Sequence, residues 1–127
     1  SYGNTIGLFE EQSELRKKVM SVKTDSTPVD APKPTENSII LALFKLVASP
    51  SDYAQMELEF QRGGIGYGDF KKRLFTALWE YFGPFRQRRK EILADPGYVE
   101  MVLRDGRQRA NHIAEEVMSR VRAATGL

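Results

Sequence analysis

Apolar side chains recur along most of this 127-residue chain at four- and three-residue spacing, and no segment shows convincing two-residue alternation. The first pattern lines up apolar groups on one face of an α-helix, whereas a half-buried strand needs the second. The clearest instance is Val99, Leu103, Gly106, Ala110, Ile113, Val117, Val121 and Ala124, which advances by four or three at every step. The run passes straight through Asp105-Gly106, a dipeptide that elsewhere marks a turn. The spacing predicts one long C-terminal helix, with Gly106 allowing a neighbour to approach closely. The fold class that follows is all-α, a bundle of five or six helices ending in that long one.

The other segments agree. Leu15, Val19 and Val22 predict a helix over 10–22, with Glu10, Glu11 and Glu14 early and Arg16, Lys17 and Lys18 later, an order that suits the helix dipole. Residues 24–37 hold Pro28, Pro32 and Pro34, which forbid a continuous helix and predict an ordered or semi-rigid connector. Asn37 and Ser38 can cap the next segment, IILALFKLVA, whose only polar residue is Lys45. It is expected as a buried helix at the hub of the core. Tyr53, Met56 and Phe60 predict a further helix that stops at Gly63-Gly64, where left-handed backbone is cheap. Asp69 is expected to cap a helix carrying Phe70, Leu74, Ala77, Leu78 and Tyr81. Gly83-Pro84 then breaks or kinks the chain, and Asp95-Pro96 pairs a cap with a first-turn proline.

Composition narrows the chemistry. A hydrophobic content of 41% with 13 aromatic residues is enough for one compact core. Without cysteine there is no thiol nucleophile and no Cys-ligated zinc, and one histidine, His112, excludes a His-pair metal motif. The longest apolar run, 39–47, falls far short of the roughly 20 residues that span a bilayer. Glu115 and Glu116 are adjacent, so on a helix they point to different faces rather than forming a dyad. The glycine cluster 63–68 lacks the Gly-Lys-Ser/Thr ending of a phosphate loop and is expected as a turn. Thr24-Asp25-Ser26 is expected to turn the chain. No constellation reads as catalytic.

The strongest chemical signal is charge. Between Lys71 and Lys90 lie Lys71, Lys72, Arg73, Arg86, Arg88, Arg89 and Lys90 against Glu80 alone, a net +6, while the whole chain carries only +2. Clustered cations beside Trp79, Tyr81, Phe82 and Phe85 suit phosphates and unpaired bases. A solvated helix face with its aromatics turned inward would give the same pattern, as would a helical protein-docking module that meets an acidic partner.

Several short motifs add a resemblance. Ser1-Tyr2-Gly3-Asn4-Thr5-Ile6 resembles the end of the KMSKS signature of class I aminoacyl-tRNA synthetases, with Ser1 matching its final serine. Arg16-Lys17-Lys18-Val19-Met20-Ser21 and Thr24-Asp25-Ser26 are similar to the stretch that follows in bacterial tryptophanyl-tRNA synthetases. So are Gly66-Tyr67-Gly68-Asp69-Phe70-Lys71-Lys72, Pro84-Phe85-Arg86 and the Leu103-Arg104-Asp105-Gly106 helix, in the same order along nearly the whole chain. The tyrosyl cousin departs in its signature and usually adds an RNA-binding tail.

The resemblance implies the C-terminal part of a tryptophan–tRNA ligase, which uses ATP with Mg2+ and is cytoplasmic. It implies a missing N-terminal Rossmann-type catalytic domain as partner, with the tRNA(Trp) anticodon region as the other. Residues 1–36 would be a signature-loop remnant, linking helix and Pro-rich connector, with 24–37 a candidate for part of a hinge. Residues 37–127 would be the helical anticodon-binding domain. Ser1 would be the remnant of an ATP phosphate contact, but the two signature lysines are absent, so the piece is expected to be inactive alone, with no cofactor or metal of its own. The parent would be a homodimer and the fragment a monomer. From charge clustering, the tRNA-binding candidates are Arg86, Arg88, Arg89 and Lys90, supported by Lys71 and Lys72.

Overall fold

A computed structural model of the chain describes residues 5–126, and every regular element among them is a helix. In order these are α1 (Gln12–Met20), α2 (Ile39–Lys45), α3 (Pro50–Arg62), α4 (Tyr67–Tyr81), α5 (Gly83–Ala94) and α6 (Pro96–Thr125). The all-α expectation holds, and six helices among the described residues fall within the expected five or six.

Most boundaries follow from local chemistry. Ser38 and Ser49 cap α2 and α3 by accepting the Leu41 and Asp52 backbone N–H groups, and Pro50 opens α3. Gly63 and Gly64, at φ +75° and +85°, turn the chain between α3 and α4. A Cβ on Gly63 would lie 2.5 Å from the Asp30 carbonyl oxygen, so that position needs glycine for space as well as for conformation. Asp95 caps α6 by accepting from the Tyr98 N–H. One start differs: α4 begins at Tyr67, preceded by Gly66 with no side-chain cap, and Asp69 lies in its first turn. There its carboxylate complements the exposed N–H groups of the helix end.

The chain divides into two compact units, one ending at Arg86 and the other beginning at Gln87. In the first, α4 packs on α1 and α2, and α2 packs on α3. The core holds Leu15 and Val19 of α1, Ile40, Leu41 and Phe44 of α2, Met56 and Phe60 of α3, and Phe70, Leu74 and Leu78 of α4. The three residues from α4 are spaced by four, so one stripe of that helix faces all the others. Phe60 and Phe70 are fully buried, with ring centroids 4.2 Å apart. The expected hub, α2, buries Ile40, Leu41 and Phe44 and packs on both α3 and α4, although its Ile39 is exposed and Leu46, just past its end, is 72% exposed. It shares the centre with the longer α4, because seven residues span only about 10 Å.

The second unit contains the end of α5 and all of α6. Of the 30 residues of α6, none is buried, and Leu103 and Ile113 on its stripe are 67% and 63% exposed. A Cβ on Gly106 would meet nothing within 4 Å, so the close approach expected there does not occur among the described residues. Two turns of α5 carry too little apolar surface to cover a 30-residue helix.

Candidate nucleic-acid interface

The seven cations between residues 71 and 90 divide into two groups. Three serve the packing of the first unit. Arg73 is ion-paired with Glu59, tying α4 to α3. The Glu59 carboxyl is held below the usual range by the Gln55 amide first and then by Arg73. Lys71 is half-buried and donates from Nζ to the Met20 carbonyl oxygen at 3.1 Å, satisfying one of the free carbonyls at the end of α1. The Arg86 guanidinium lies 3.6 Å from the Trp79 ring centroid and also donates to the Trp79 carbonyl oxygen.

The other four stand in solvent. Lys72 is exposed and pairs with Asp69 one turn back at 2.9 Å. On α5, Arg88, Arg89 and Lys90 are all exposed. Arg88 pairs with Glu91 at 3.2 Å, and with Gln87 it holds the Glu91 carboxyl below its ordinary value. Arg88 also lies 5.9 Å from the Tyr98 ring. Exposed ion pairs of this kind contribute little, about 0–1 kcal/mol, so a phosphate can exchange for the carboxylate at small cost. Ser1 lies outside the described residues.

The aromatics also divide. Trp79 stacks on Phe75 at 6.5 Å with the rings 19° apart, and Arg86 covers it. Tyr81 and Phe85 are 48% and 54% exposed, with ring centroids 6.3 Å apart, and could accept unstacked bases.

Other singled-out residues are accounted for locally. Asp25 accepts the Thr27 N–H at 2.8 Å, the turn expected of Thr24-Asp25-Ser26. It also accepts the Tyr67 hydroxyl, a long-range contact with no signal in the sequence. His112 is exposed, 3.4 Å from Glu116. Among the described residues no group of three or more His, Cys, Asp or Glu side chains could hold a metal ion. No described helix is long and apolar enough to cross a membrane.

The first unit carries one further feature. A groove of about 820 Å³ opens between the segment at Ile6 to Leu8, α1, α2 and the end of α4. Its lining includes Leu8, Ile39, Leu46 and Tyr81, all exposed.

No protein-family model matches the chain. Whole proteins do. The tryptophan–tRNA ligase of Rhodopirellula baltica is 37% identical over 127 residues, covering all of this chain and 40% of that protein. The tryptophan–tRNA ligase of Fusobacterium nucleatum is 37% identical over 129 residues, again covering the whole chain and 39% of the relative. The crystal structure of tryptophanyl-tRNA synthetase from Campylobacter jejuni complexed with ADP and tryptophan superposes on 99% of this chain with a TM-score of 0.91 at 34% identity. The match covers 40% of that chain, so this sequence spans about two fifths of the length of its relatives. In sequence and in fold, along its whole length, the chain matches tryptophan–tRNA ligases and corresponds to their C-terminal region.

Proposed function

We propose that this chain is the tRNA-receiving portion of a cytoplasmic tryptophan–tRNA ligase, the enzyme that joins tryptophan to tRNA(Trp) at the expense of ATP. The observation that carries this reading is the superposition of 99% of the chain on a tryptophanyl-tRNA synthetase at a TM-score of 0.91. Residues 37–127 receive the anticodon region, and residues 1–36 link it to the catalytic portion of the parent. ATP, its Mg2+ and tryptophan are assigned to that other portion, with Ser1 at most the end of the ATP-binding signature. The parent works as a homodimer, and this piece alone is monomeric and inactive, needing no cofactor.

Lys72, Arg88, Arg89 and Lys90 are exposed and supply the phosphate contacts. Lys71 and Arg86 act within the first unit, one holding α4 to α1 and the other bracing Trp79. Tyr81 and Phe85 offer ring faces to splayed bases. The apolar groove is where the catalytic portion rests, since an exposed patch of this kind on a small unit marks an interaction surface.

The test is fluorescence anisotropy with a labelled tRNA(Trp) anticodon stem-loop at two salt concentrations, against a scrambled anticodon. Tighter binding of the cognate loop that weakens with salt is expected. Equal binding of both loops would reduce the surface to a basic patch. No binding would move recognition to the whole enzyme or favour protein docking. Pyrophosphate exchange by the chain alone, with full-length enzyme excluded, would overturn the assignment of catalysis elsewhere.

A further inference from the structure

Lys33 is the one charged or polar residue among the described ones that is buried, at 3% exposure, and it lies in the proline-rich connector. Its Nζ donates to the carbonyl oxygens of Pro28, Val29 and Ala31 at 3.3, 3.1 and 3.3 Å. An ammonium has three N–H donors, so this cage uses all of them, and every acceptor is a backbone carbonyl of the connector itself. The same ammonium lies 5.5 Å from the Tyr67 ring centroid, at the start of α4.

Around that cage the connector is bonded to the corner between α3 and α4. The Lys33 N–H donates to the Phe60 carbonyl oxygen at 2.7 Å, and the Gly64 N–H donates to the Val29 carbonyl oxygen at 2.8 Å. Gly63 lies so close to Asp30 and Ala31 that a Cβ there would sit 2.5 Å from backbone. The Tyr67 hydroxyl closes the ring on Asp25.

We infer that the connector is a strut locked by the Lys33 ammonium, so that residues 25–34 move as one body with α3 and α4 and do not act as a hinge. A flexible linker would expose its carbonyls to water. Here a buried cation gathers three of them into a turn whose outer face meets the corner. Removing the cation takes one bond from each carbonyl: the Pro28 and Val29 oxygens keep the Ala31 and Gly64 N–H groups, while the Ala31 oxygen loses the Lys33 donor, a cost that favours release of the whole strut. In the parent, any domain motion then pivots outside this segment. The inference stands whether or not the chain binds RNA.

Amide hydrogen exchange on the chain, followed residue by residue by NMR, tests it. In the wild type the Lys33 and Gly64 amides should be protected and should open with one common free energy, as members of one cooperative unit. Lys33→Met keeps the length of the side chain but removes the donors, and should accelerate both amides together by about ten- to hundredfold. The Leu74 and Leu78 amides inside α4 should keep their protection, which reports that the core remains folded. Tyr67→Phe is the milder variant. It keeps the ring beside Lys33, loses the hydroxyl's bonds to Asp25 and its contact with Thr27, and should leave the Gly64 amide protected.

Rapid exchange of Lys33 and Gly64 in the wild type would overturn the strut and restore a hinge. Unchanged exchange in Lys33→Met would overturn the role of the cation. Should Lys33→Met fail to fold, a tenfold or greater loosening of Gly64 in Tyr67→Phe would overturn the ammonium as the lock, and protection kept there would support it.

Discussion

The Tyr67 hydroxyl donates to both carboxylate oxygens of Asp25, at 2.9 and 3.0 Å, although the two residues are 42 positions apart. The bond joins the turn after α1 to the first residue of α4. It also contributes to the ionisation of both partners. The Asp25 carboxyl is held below its ordinary range, chiefly by the Thr27 side chain, then by the Thr27 backbone N–H, with Tyr67 adding to them against some burial. The Tyr67 phenol is pushed up, first by burial and then by the carboxylate it bonds.

A sign follows for acid stability. A carboxyl whose native pKa is lowered stabilises the fold above its unfolded pKa, about 3.9 for aspartate, and loses that contribution as pH falls through the native value. Asp25→Asn should therefore flatten the acid limb of stability below about pH 4. Carboxyl titration by NMR should show Thr27→Val raising the Asp25 pKa more than Tyr67→Phe does. The reverse order would place the main stabilising contact on the tyrosine.

Arg86 makes a second measurable contact. Trp79 is the only tryptophan in the chain, and the Arg86 guanidinium lies 3.6 Å from its ring centroid. Arg86→Ala should change the emission of Trp79 and destabilise the first unit by about 1–2 kcal/mol through the lost cation–π contact and carbonyl bond. Arg89→Ala should leave the emission unchanged. The check is fluorescence with urea unfolding on both variants.

The helices were legible because apolar spacing and end signals coincide. Asp95-Pro96 states a cap and a first-turn proline outright, and α6 starts there. The start of α4 was not legible in the same way, since Gly66 carries no side chain to announce a cap. Periodicity told which face of α6 is apolar but not what covers it, and among the described residues of the second unit nothing does. Lysine and arginine are rarely buried, so composition offers no hint that Lys33 fills a carbonyl cage or that Lys71 and Arg73 tie helices together. A count of charge treated all seven cations alike. Their separation into packing and solvent-facing sets needed the neighbours, which lie up to 51 residues away in sequence.

Two adjacent glycines should respond differently to the same change. Gly63 and Gly64 both have positive φ, so an alanine at either pays a backbone cost of roughly 1–3 kcal/mol. At Gly64 a Cβ meets nothing within 4 Å, whereas at Gly63 it would strike the backbone of Asp30 and Ala31. Gly63→Ala should therefore lower the melting temperature clearly more than Gly64→Ala. Equal losses would mean the connector yields at that point without cost.

The core supplies a scale for these effects. Phe60 is fully buried against Phe70, and truncating it to alanine should cost about 3–5 kcal/mol, enough to threaten folding of the unit. Leu46, which is 72% exposed, should tolerate alanine within about 0.5 kcal/mol. Denaturant unfolding of the two variants gives both numbers directly.

The proposed interface makes a prediction that protein docking does not share. Arg88, Arg89 and Lys90 are exposed on α5, and alanine at each preserves or improves helix propensity. The triple variant Arg88→Ala, Arg89→Ala, Lys90→Ala should thus keep the circular dichroism of the wild type. If each side chain neutralises one phosphate of a single-stranded loop, the slope of log K against log salt should fall by about 2. Affinity should drop most at low salt, where counterion release contributes most. A triple variant that stays helical and keeps the full slope would take RNA away from this face and leave α5 as a surface for an acidic protein.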